Sequence, residues 1–374
     1  MSAATRVISM TMPAESDLRE LRQLADSIFD GLAADALMIP HTEIGWNAEL
    51  WKTLEDSGLT LLTTPIDCGG SGAGLAELSV VLESAARSAA PAPIADTDLL
   101  ASWLLRRAGM SVPAGPLASA HGQLEITPAG EGRSAVTAVL PRVAWARVAE
   151  HVVVLGEAGP RAVVMTVPRG EFTVVEGANV AYEPRDTVRI DATLDDTAIV
   201  EVSRDTLREW RVRGAFGLTA STVGYLDRIL GLTVDHASQR TQFGRPIAKF
   251  QAVQHMISAI AGEVTATQAA HNAAVAAAVA CGIDSKAAEF AVAAAKAQAA
   301  RAASAVSKHA HQVHGAIGFT LDHQLRHFTL RSMAAAKEFG DAREWNVRLG
   351  QLALGALDDG RADSLWHVIT DSGR

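Results

Sequence analysis

Three long helical patterns in the second half of the chain constrain its fold more than any other feature. They cover residues 207–240, 250–280 and 286–315, and they are rich in small residues that allow helices to approach closely. Gly282 is expected to end the second helix, and Asp284 or Ser285 to cap the third. Helices of this length commonly pack as an antiparallel bundle. The sequence therefore predicts a domain of the four-helix type.

The first half of the chain divides into two regions of different composition. Helical patterns, including one near residues 48–54, fill the chain up to about residue 112. Short β-branched runs such as VVVLG and FTVVEG follow, separated by Gly, Pro, Asp and Asn, and they predict a small antiparallel sheet. No βαβ alternation is present, which excludes a Rossmann domain. We predict an α+β protein, mostly α, with domains at 1–112, 113–203 and 204–374.

Charge and cysteine content exclude several classes of function. The formal charge of −9 argues against a nucleic-acid or anionic-membrane partner, because both attract faces rich in Lys and Arg. The 374 residues contain two cysteines, Cys68 and Cys281, outside any metal-ligand spacing. The N-terminal segment is too polar for a signal peptide, and no stretch is long and apolar enough for a membrane span. A cytoplasmic location is expected.

The segment QRTQFGRPIAKFQAVQH, residues 239–255, is the most specific stretch of the chain. Arg240 is expected to end a long helix beside a tight turn at Gly244, leaving a guanidinium and backbone N–H groups available. That arrangement suits a pyrophosphate. A basic residue that only complements the helix dipole is an equally good interpretation of the spacing.

This segment resembles the RxQFGxPIxxFQxxQ signature of the acyl-CoA dehydrogenases. Downstream, KHAHQVHGAIGFTLDH resembles the QxxGGxGFTxEH segment of the same family. A third stretch, GLTLLTTPIDCGGSGAGLAELSVVLESAARSAAPAP, is similar to its N-terminal helix–loop–helix. The family's fold consists of an N-terminal helical domain, a small middle β domain and a C-terminal four-helix bundle, in the order predicted above.

The resemblance implies an FAD enzyme that desaturates acyl-CoA thioesters. In this family a carboxylate removes the α-proton while the β-hydrogen leaves as hydride to the flavin, and each FAD lies across a subunit interface. Carried over by position, the expected FAD-binding residues of this chain are Arg240, Gln242, Phe243, Gln312, Gly315 and Ala316. Ala316 stands where the family usually has a second glycine, so its methyl group is expected to crowd the nucleotide.

The family's catalytic base has no counterpart in this sequence. One branch places a Glu at the position of Phe339, and another places its base at the position of Gly214. Glu338 is the nearest carboxylate, but one residue along a helix rotates a side chain by about 100°. We therefore predict that Glu338 is a surface residue, and we keep it as the candidate catalytic residue if this chain has a base of its own.

The segments that normally cover the flavin ring are also absent. Neither TEPxxGSD nor the Trp-x-Thr-Asn-Gly turn of the family occurs, and the nearest text is LPRVAWARVAEHVVV. Its Trp145 could stack on a flavin, but a half-buried strand aromatic is the preferred interpretation. We therefore predict that this chain has lost the segments that cover the flavin ring. The residues that contact the nucleotide part of a neighbouring subunit's FAD are predicted to be retained.

These observations favour the accessory subunit of a heteromeric acyl-CoA dehydrogenase. The resemblance implies an α2β2 assembly with a paralogous subunit that carries the base, as in actinobacterial enzymes of steroid side-chain catabolism. An acyl-CoA is the implied substrate, and an electron-transfer flavoprotein is a candidate acceptor. The alternatives are a self-sufficient homo-oligomeric dehydrogenase with an atypical base and a non-enzymatic structural paralogue.

Clustered histidines suggest a metal site only superficially. His309, His311 and His314 lie close in sequence, and His323 and His327 are spaced as i and i+4. Zinc hydrolases use such a pair with a Glu inside the motif, whereas the residues between His323 and His327 include Gln324 and Arg326 and no Glu. The sequence therefore predicts no metal site.

Overall fold

The computed structural model describes residues 12–33 and 44–358. Asn47 begins the second of its helices, and its side-chain oxygen accepts a hydrogen bond from the N–H of Leu50 at 2.9 Å. A π-helical segment, Ala95–Ser102, continues directly into a short α-helix. The helices of this first region are α1 (Glu15–Leu32), α2 (Ala48–Asp56), α3 (Leu75–Arg87) and α4 (Trp103–Arg107).

Two four-stranded sheets follow, in the orders β1-β4-β5-β8 and β2-β3-β7-β6. Buried aliphatic side chains of both sheets, such as Val136, Val154 and Val188, form one shared core. The predicted antiparallel pairing is confirmed except between β1 and β4, which are parallel, with Leu117 opposite His151. The strands are β1 (Leu117–Gln123), β2 (Glu125–Pro128), β3 (Arg133–Ala144), β4 (His151–Ala158), β5 (Arg161–Pro168), β6 (Phe172–Val175), β7 (Arg185–Asp195) and β8 (Ile199–Val202).

The long helices of the second half form as the sequence predicts. Gly282 ends the second of them with a φ of 81°, and the side-chain oxygen of Ser285 caps the third by accepting from Ala288 N–H at 3.1 Å. A two-stranded hairpin separates the first two. The elements are α5 (Asp205–Gln239), β9 (Thr241–Gln242), β10 (Arg245–Pro246), α6 (Gln251–Cys281), α7 (Lys286–His314), α8 (Leu325–Ala335) and α9 (Ala342–Asp358).

Helix α5 joins the two helical regions. It packs against α3 on one side and against α6, α7 and α8 on the others. Phe216 of α5 lies in the same buried cluster as Phe29 of α1 and Ala293 of α7. The predicted boundaries after residues 112 and 203 stay predictions. Within the described residues, no helix has the length and hydropathy that crossing a bilayer requires.

A glycine permits the contact between α5 and α3. A Cβ at Gly224 would overlap the backbone carbonyl oxygen of Glu83, whereas a Cβ at Gly231, two turns further along α5, would meet no atom within 4 Å. Backbone atoms cannot rotate away as a side chain can. The two helices therefore require glycine at position 224 but not at position 231.

These two glycines make a matched pair of substitutions. Gly224→Ala should lower the free energy of unfolding by about 1–3 kcal/mol through overpacking. Gly231→Ala, in the same helix, should raise it by roughly 0.5–1 kcal/mol, because alanine is the better helix former. Urea unfolding followed by circular dichroism measures both. Equal effects of the two changes would mean that the α3–α5 approach does not depend on glycine.

Candidate functional site

The two positions that the sequence predicts to correspond to the family's base lie against each other. Gly214 is in α5 and Phe339 follows α8, and a Cβ at position 214 would overlap the phenyl ring of Phe339. The ring also packs against Trp210, with centroids 4.7 Å apart. Phe339 has a φ of +55°, which is uncommon for a bulky residue. The phenyl ring therefore fills the space beside Gly214 that a larger side chain at position 214 would need.

A cavity of about 510 Å³ lies beside this contact. The π-helical segment, β3 and α5 line it together with residues 337–340. Leu99, Leu218 and Trp210 contribute apolar walls, while Asp96 and Arg185 contribute charge. The cavity has the mixed lining that is usual for small-molecule sites.

Glu338 is not the surface residue that the sequence predicted. Its side chain is 14% exposed and forms a bidentate pair with Arg185, at 2.8 Å (Nε to Oε1) and 2.7 Å (Nη2 to Oε2). Arg142 lies 3.5 Å from the same carboxylate. The prediction was wrong because β7, 153 residues earlier in the chain, brings a guanidinium to this point. Both carboxylate oxygens of Glu338 are therefore engaged by one guanidinium, which holds the side chain in the wall of the cavity.

The ion pair belongs to a larger buried network. Glu183 accepts from Arg331 Nε at 3.1 Å and lies 3.6 Å from Arg185. Burial alone would raise the pKa of Glu183, but the charges of Arg185 and Arg331 outweigh it and hold that pKa below its usual range. For Arg185, burial opposes the charged form, and the carboxylates of Glu338 and Glu183 raise its pKa nonetheless. Glu183 and Arg185 therefore stay ionised, and the network fixes one wall of the cavity.

Asp96 is a cavity residue that the sequence reasoning missed. Burial raises its pKa to about 6, against the lowering effect of Arg185, and the neighbouring Glu338 and Glu183 raise it further. It lies in the π-helical segment, and π-helical turns often occur at functional sites. Its position between Ile94 and the apolar pair Leu99 and Leu100 was a signal in the sequence. The nearby Asp98 differs, because its carboxylate accepts from Thr63 and Thr64 and is satisfied.

The first FAD motif forms an exposed hairpin at the end of α5. Phe243 and Gly244 occupy the two-residue turn between β9 and β10, with φ values of 50° and 79°. Two positive φ values are characteristic of a type I′ turn, which favours Asn-Gly or Gly-Gly over a bulky residue. Phe243 is nevertheless 92% exposed. A large aromatic side chain held in an unfavourable turn and presented to solvent indicates a binding role.

The second motif lies next to the first. The rings of His236, in the last turn of α5, and His314, at the end of α7, stack with centroids 4.4 Å apart. Arg240 makes no side-chain hydrogen bond or ion pair with another residue of the described ranges. We call the exposed residues of the two motifs the clamp surface: Arg240, Gln242, Phe243, Gln312, Gly315 and Ala316. Its free guanidinium, exposed ring and glycine backbone fit the nucleotide end of FAD.

Trp145 does not offer a platform for a flavin ring. It is 6% exposed rather than half-buried, and its ring packs edge-on to Trp46 at 6.1 Å. The cavity beside it measures about 90 Å³, room for roughly three water molecules. Trp145 is thus a packed aromatic residue, but it lies in the turn after β3 and not in a strand, and it is more deeply buried than expected.

The histidines that lie close together in the fold are not those that lie close together in the sequence. His236, His314 and His323 converge, with one ring nitrogen of each within 4.8 Å of the others. The sequence reasoning had not considered His236, and His309 and His327 lie outside this group.

Comparison with known proteins supports the same family. Family models match the acyl-CoA dehydrogenase N-terminal domain over residues 15–111 and its C-terminal domain over residues 212–341. The protein named acyl-CoA dehydrogenase IpdE2 of Mycolicibacterium smegmatis is 29% identical over 315 residues, which cover 83% of this chain and 89% of IpdE2.

Solved structures with this fold include two from heteromeric assemblies. The ChsE4-ChsE5 complex from Mycobacterium tuberculosis matches with a TM-score of 0.80 and 24% identity, over 91% of this chain and 97% of that one. The Tcur3481-Tcur3483 steroid ACAD matches with a TM-score of 0.79 and 24% identity, over 92% of this chain and 99% of that one. The fold, the two domain matches and the motifs agree, and the chain belongs to the acyl-CoA dehydrogenase family.

Proposed function

We propose that this chain is the non-catalytic subunit of a heteromeric FAD-dependent acyl-CoA dehydrogenase. The observation that carries the proposal is the contact between Phe339 and Gly214, which closes both base positions of this chain. The clamp surface, in contrast, is exposed and intact. A subunit that has lost its base and kept its clamp surface is expected to bind the nucleotide part of an FAD whose flavin end lies in a paralogous partner. That partner would supply the base.

The missing base follows from the geometry that proton transfer requires. A general base must come within about 2.6–3.2 Å of the proton it removes, directly or through one water. The ring of Phe339 fills the space beside Gly214, and Glu338 is bound to Arg185. The α-proton of an acyl-CoA would therefore be removed by a carboxylate of the partner subunit.

The clamp surface would bind and orient the nucleotide part of FAD. The guanidinium of Arg240 would pair with the pyrophosphate through charge-assisted hydrogen bonds, and Phe243 would cover an apolar face of the nucleotide. FAD itself supplies the hydride acceptor when it is bound. Electrons would then pass to an electron-transfer flavoprotein.

The similar proteins support a steroid or other lipid acyl-CoA as substrate class. Two of the similar structures are described as a ChsE4-ChsE5 complex and as a steroid ACAD formed by two gene products. Their names describe those proteins. For this chain we infer a heterotetramer with a paralogue and an acyl-CoA thioester as substrate.

Asp96 favours a second candidate function, a self-sufficient dehydrogenase with an atypical base. Its carboxyl group lines the same cavity as Phe339, and its pKa of about 6 suits proton abstraction near neutral pH better than that of an ordinary carboxylate. The absence of the family's flavin-covering segments makes this the weaker interpretation.

Flavin content tests the proposed clamp. The chain alone should purify without flavin, and co-expression with a base-containing paralogue should give one FAD for each pair of chains, with desaturase activity. Arg240→Glu should weaken FAD binding by the complex about 10- to 100-fold or more, because a charge-assisted hydrogen bond contributes about 1.5–3 kcal/mol.

The matched control for this charge reversal is Arg161→Glu, at an exposed position of β5 far from the clamp in sequence. It should leave the flavin content unchanged. Full retention of FAD and activity by the Arg240→Glu complex would count decisively against the clamp, and flavin bound by this chain alone would favour the self-sufficient enzyme.

Turnover of the complex separates the two candidate functions. If the partner holds the base, Asp96→Asn and Glu338→Gln should each retain kcat within about tenfold, since removing an essential general base costs at least about 10²-fold. Loss of turnover with flavin still bound in either variant would identify that residue as the base. Absorbance of the flavin and substrate-dependent bleaching are the measurements.

The raised pKa of Asp96 also predicts a pH dependence of stability. Its folded pKa of about 6 exceeds the reference value of 3.8, so the folded state binds the proton more tightly. The wild-type protein should therefore lose about 1–3 kcal/mol relative to Asp96→Asn as the pH rises from 4 to 7. Thermal unfolding across this range tests the prediction, with the exposed Asp67→Asn as control; parallel curves for all three proteins would contradict it.

A further inference from the structure

We propose that His236, His314 and His323 form a binding site for a divalent transition-metal ion beside the clamp surface. Each histidine offers one ring nitrogen, and the three nitrogens lie within 4.8 Å of one another. The residues come from three elements: the last turn of α5, the end of α7 and the segment before α8.

The hydrogen bonding of His314 leaves one nitrogen without a partner. Its Nδ1 lies 2.8 Å from the carbonyl oxygen of Ala310, which requires Nδ1 to carry the proton. Nε2 therefore has a lone pair, and this buried atom has no hydrogen-bond partner among the described residues. The residue is only 5% exposed. A histidine whose other nitrogen donates to a backbone carbonyl has the arrangement typical of a metal ligand.

The charge state of the cluster is suited to a cation. Burial lowers the pKa of His314 to about 4, and burial also lowers the pKa values of His236 and His323. The imidazoles are thus neutral at pH 7, as metal ligands must be. Arg240 is close enough to contribute to the lowered pKa of His236, so its charge opposes a cation and limits the affinity.

The geometry requires a rearrangement of the site. Metal–nitrogen bonds of about 2.0–2.1 Å in a tetrahedral site place ligand nitrogens roughly 3.3 Å apart, so the nitrogens must approach by about 1.5 Å or less. His236 must also turn out of its stack with His314, because the lone pair of an imidazole nitrogen lies in the plane of its ring. His323 must also loosen the hydrogen bond that its Nδ1 accepts from Leu325 N–H at 3.1 Å. Side chains of His236 and His323 are only partly buried, which leaves room for this movement and for entry of the ion.

Three neutral imidazoles select the kind of ion. Imidazole nitrogen suits Zn²⁺, Co²⁺, Ni²⁺ and Cu²⁺, whereas Mg²⁺ and Ca²⁺ prefer oxygen ligands. A bound ion would link α5, α7 and the segment before α8 close to Arg240 and Gly315. The site would thereby hold together the elements that carry the clamp surface.

Titration of the untagged, EDTA-treated full-length chain with Co²⁺ tests the site without any FAD present. We expect one equivalent to bind and to produce the visible absorption of a Co²⁺ ion with nitrogen ligands. Zn²⁺ should displace it and raise the thermal unfolding temperature, and Mg²⁺ should do neither. No binding, or a Tm that Zn²⁺ leaves unchanged, would overturn the proposal.

Three substitutions locate the binding. His323→Asn keeps an acceptor for Leu325 N–H but removes the ligand, and it should weaken Co²⁺ binding at least about tenfold, as should His236→Asn. His255→Asn, at an exposed position of α6, is the control and should bind like the wild type. Equal affinities in all three variants would mean adventitious binding elsewhere and would overturn the site.

Discussion

The backbone contact between α5 and α3 at Gly224 is the constraint on which the rest of the structure depends. Helix α5 has 35 residues, about 50 Å at 1.5 Å per residue, and it leads from the last strand of the sheets to the clamp hairpin. Gly214 lies near its start, while His236 and Arg240 lie at its end. Because α3 and the bundle helices hold α5 on several sides, both ends keep their positions relative to the core.

The length of α5 separates two functions that could be lost independently. Near its start, Phe339 fills the space beside Gly214, and a side chain at either position determines what the other can be. At its end, the exposed Phe243 and Arg240 are too distant from Gly214 along the chain to respond to that packing. Substitutions near the start of α5 can therefore leave the hairpin at its end intact.

Burial and ion pairing together determine which side chains in the cavity wall are charged. Arg185 is surrounded by Glu183, Glu338 and Asp96, and a buried arginine needs such partners to remain ionised. Glu338 takes the bidentate contact with Arg185, whereas burial raises the pKa of Asp96 against the lowering effect of Arg185. The same network holds Glu338 in the cavity wall.

The sequence by itself determined the features that depend on local interactions. The helix ends at Gly282 and Ser285, the tight turn at Gly244 and the strand-rich middle region could be predicted, because caps, turns and β-branched runs are read over a few residues. Only the tertiary structure decided the contact of Phe339 with Gly214, the pairing of Glu338 with Arg185 and the approach of His236 to His314. These contacts join residues far apart in the chain, and which of them meet is set by how helices and sheets pack, information that local spacing does not contain.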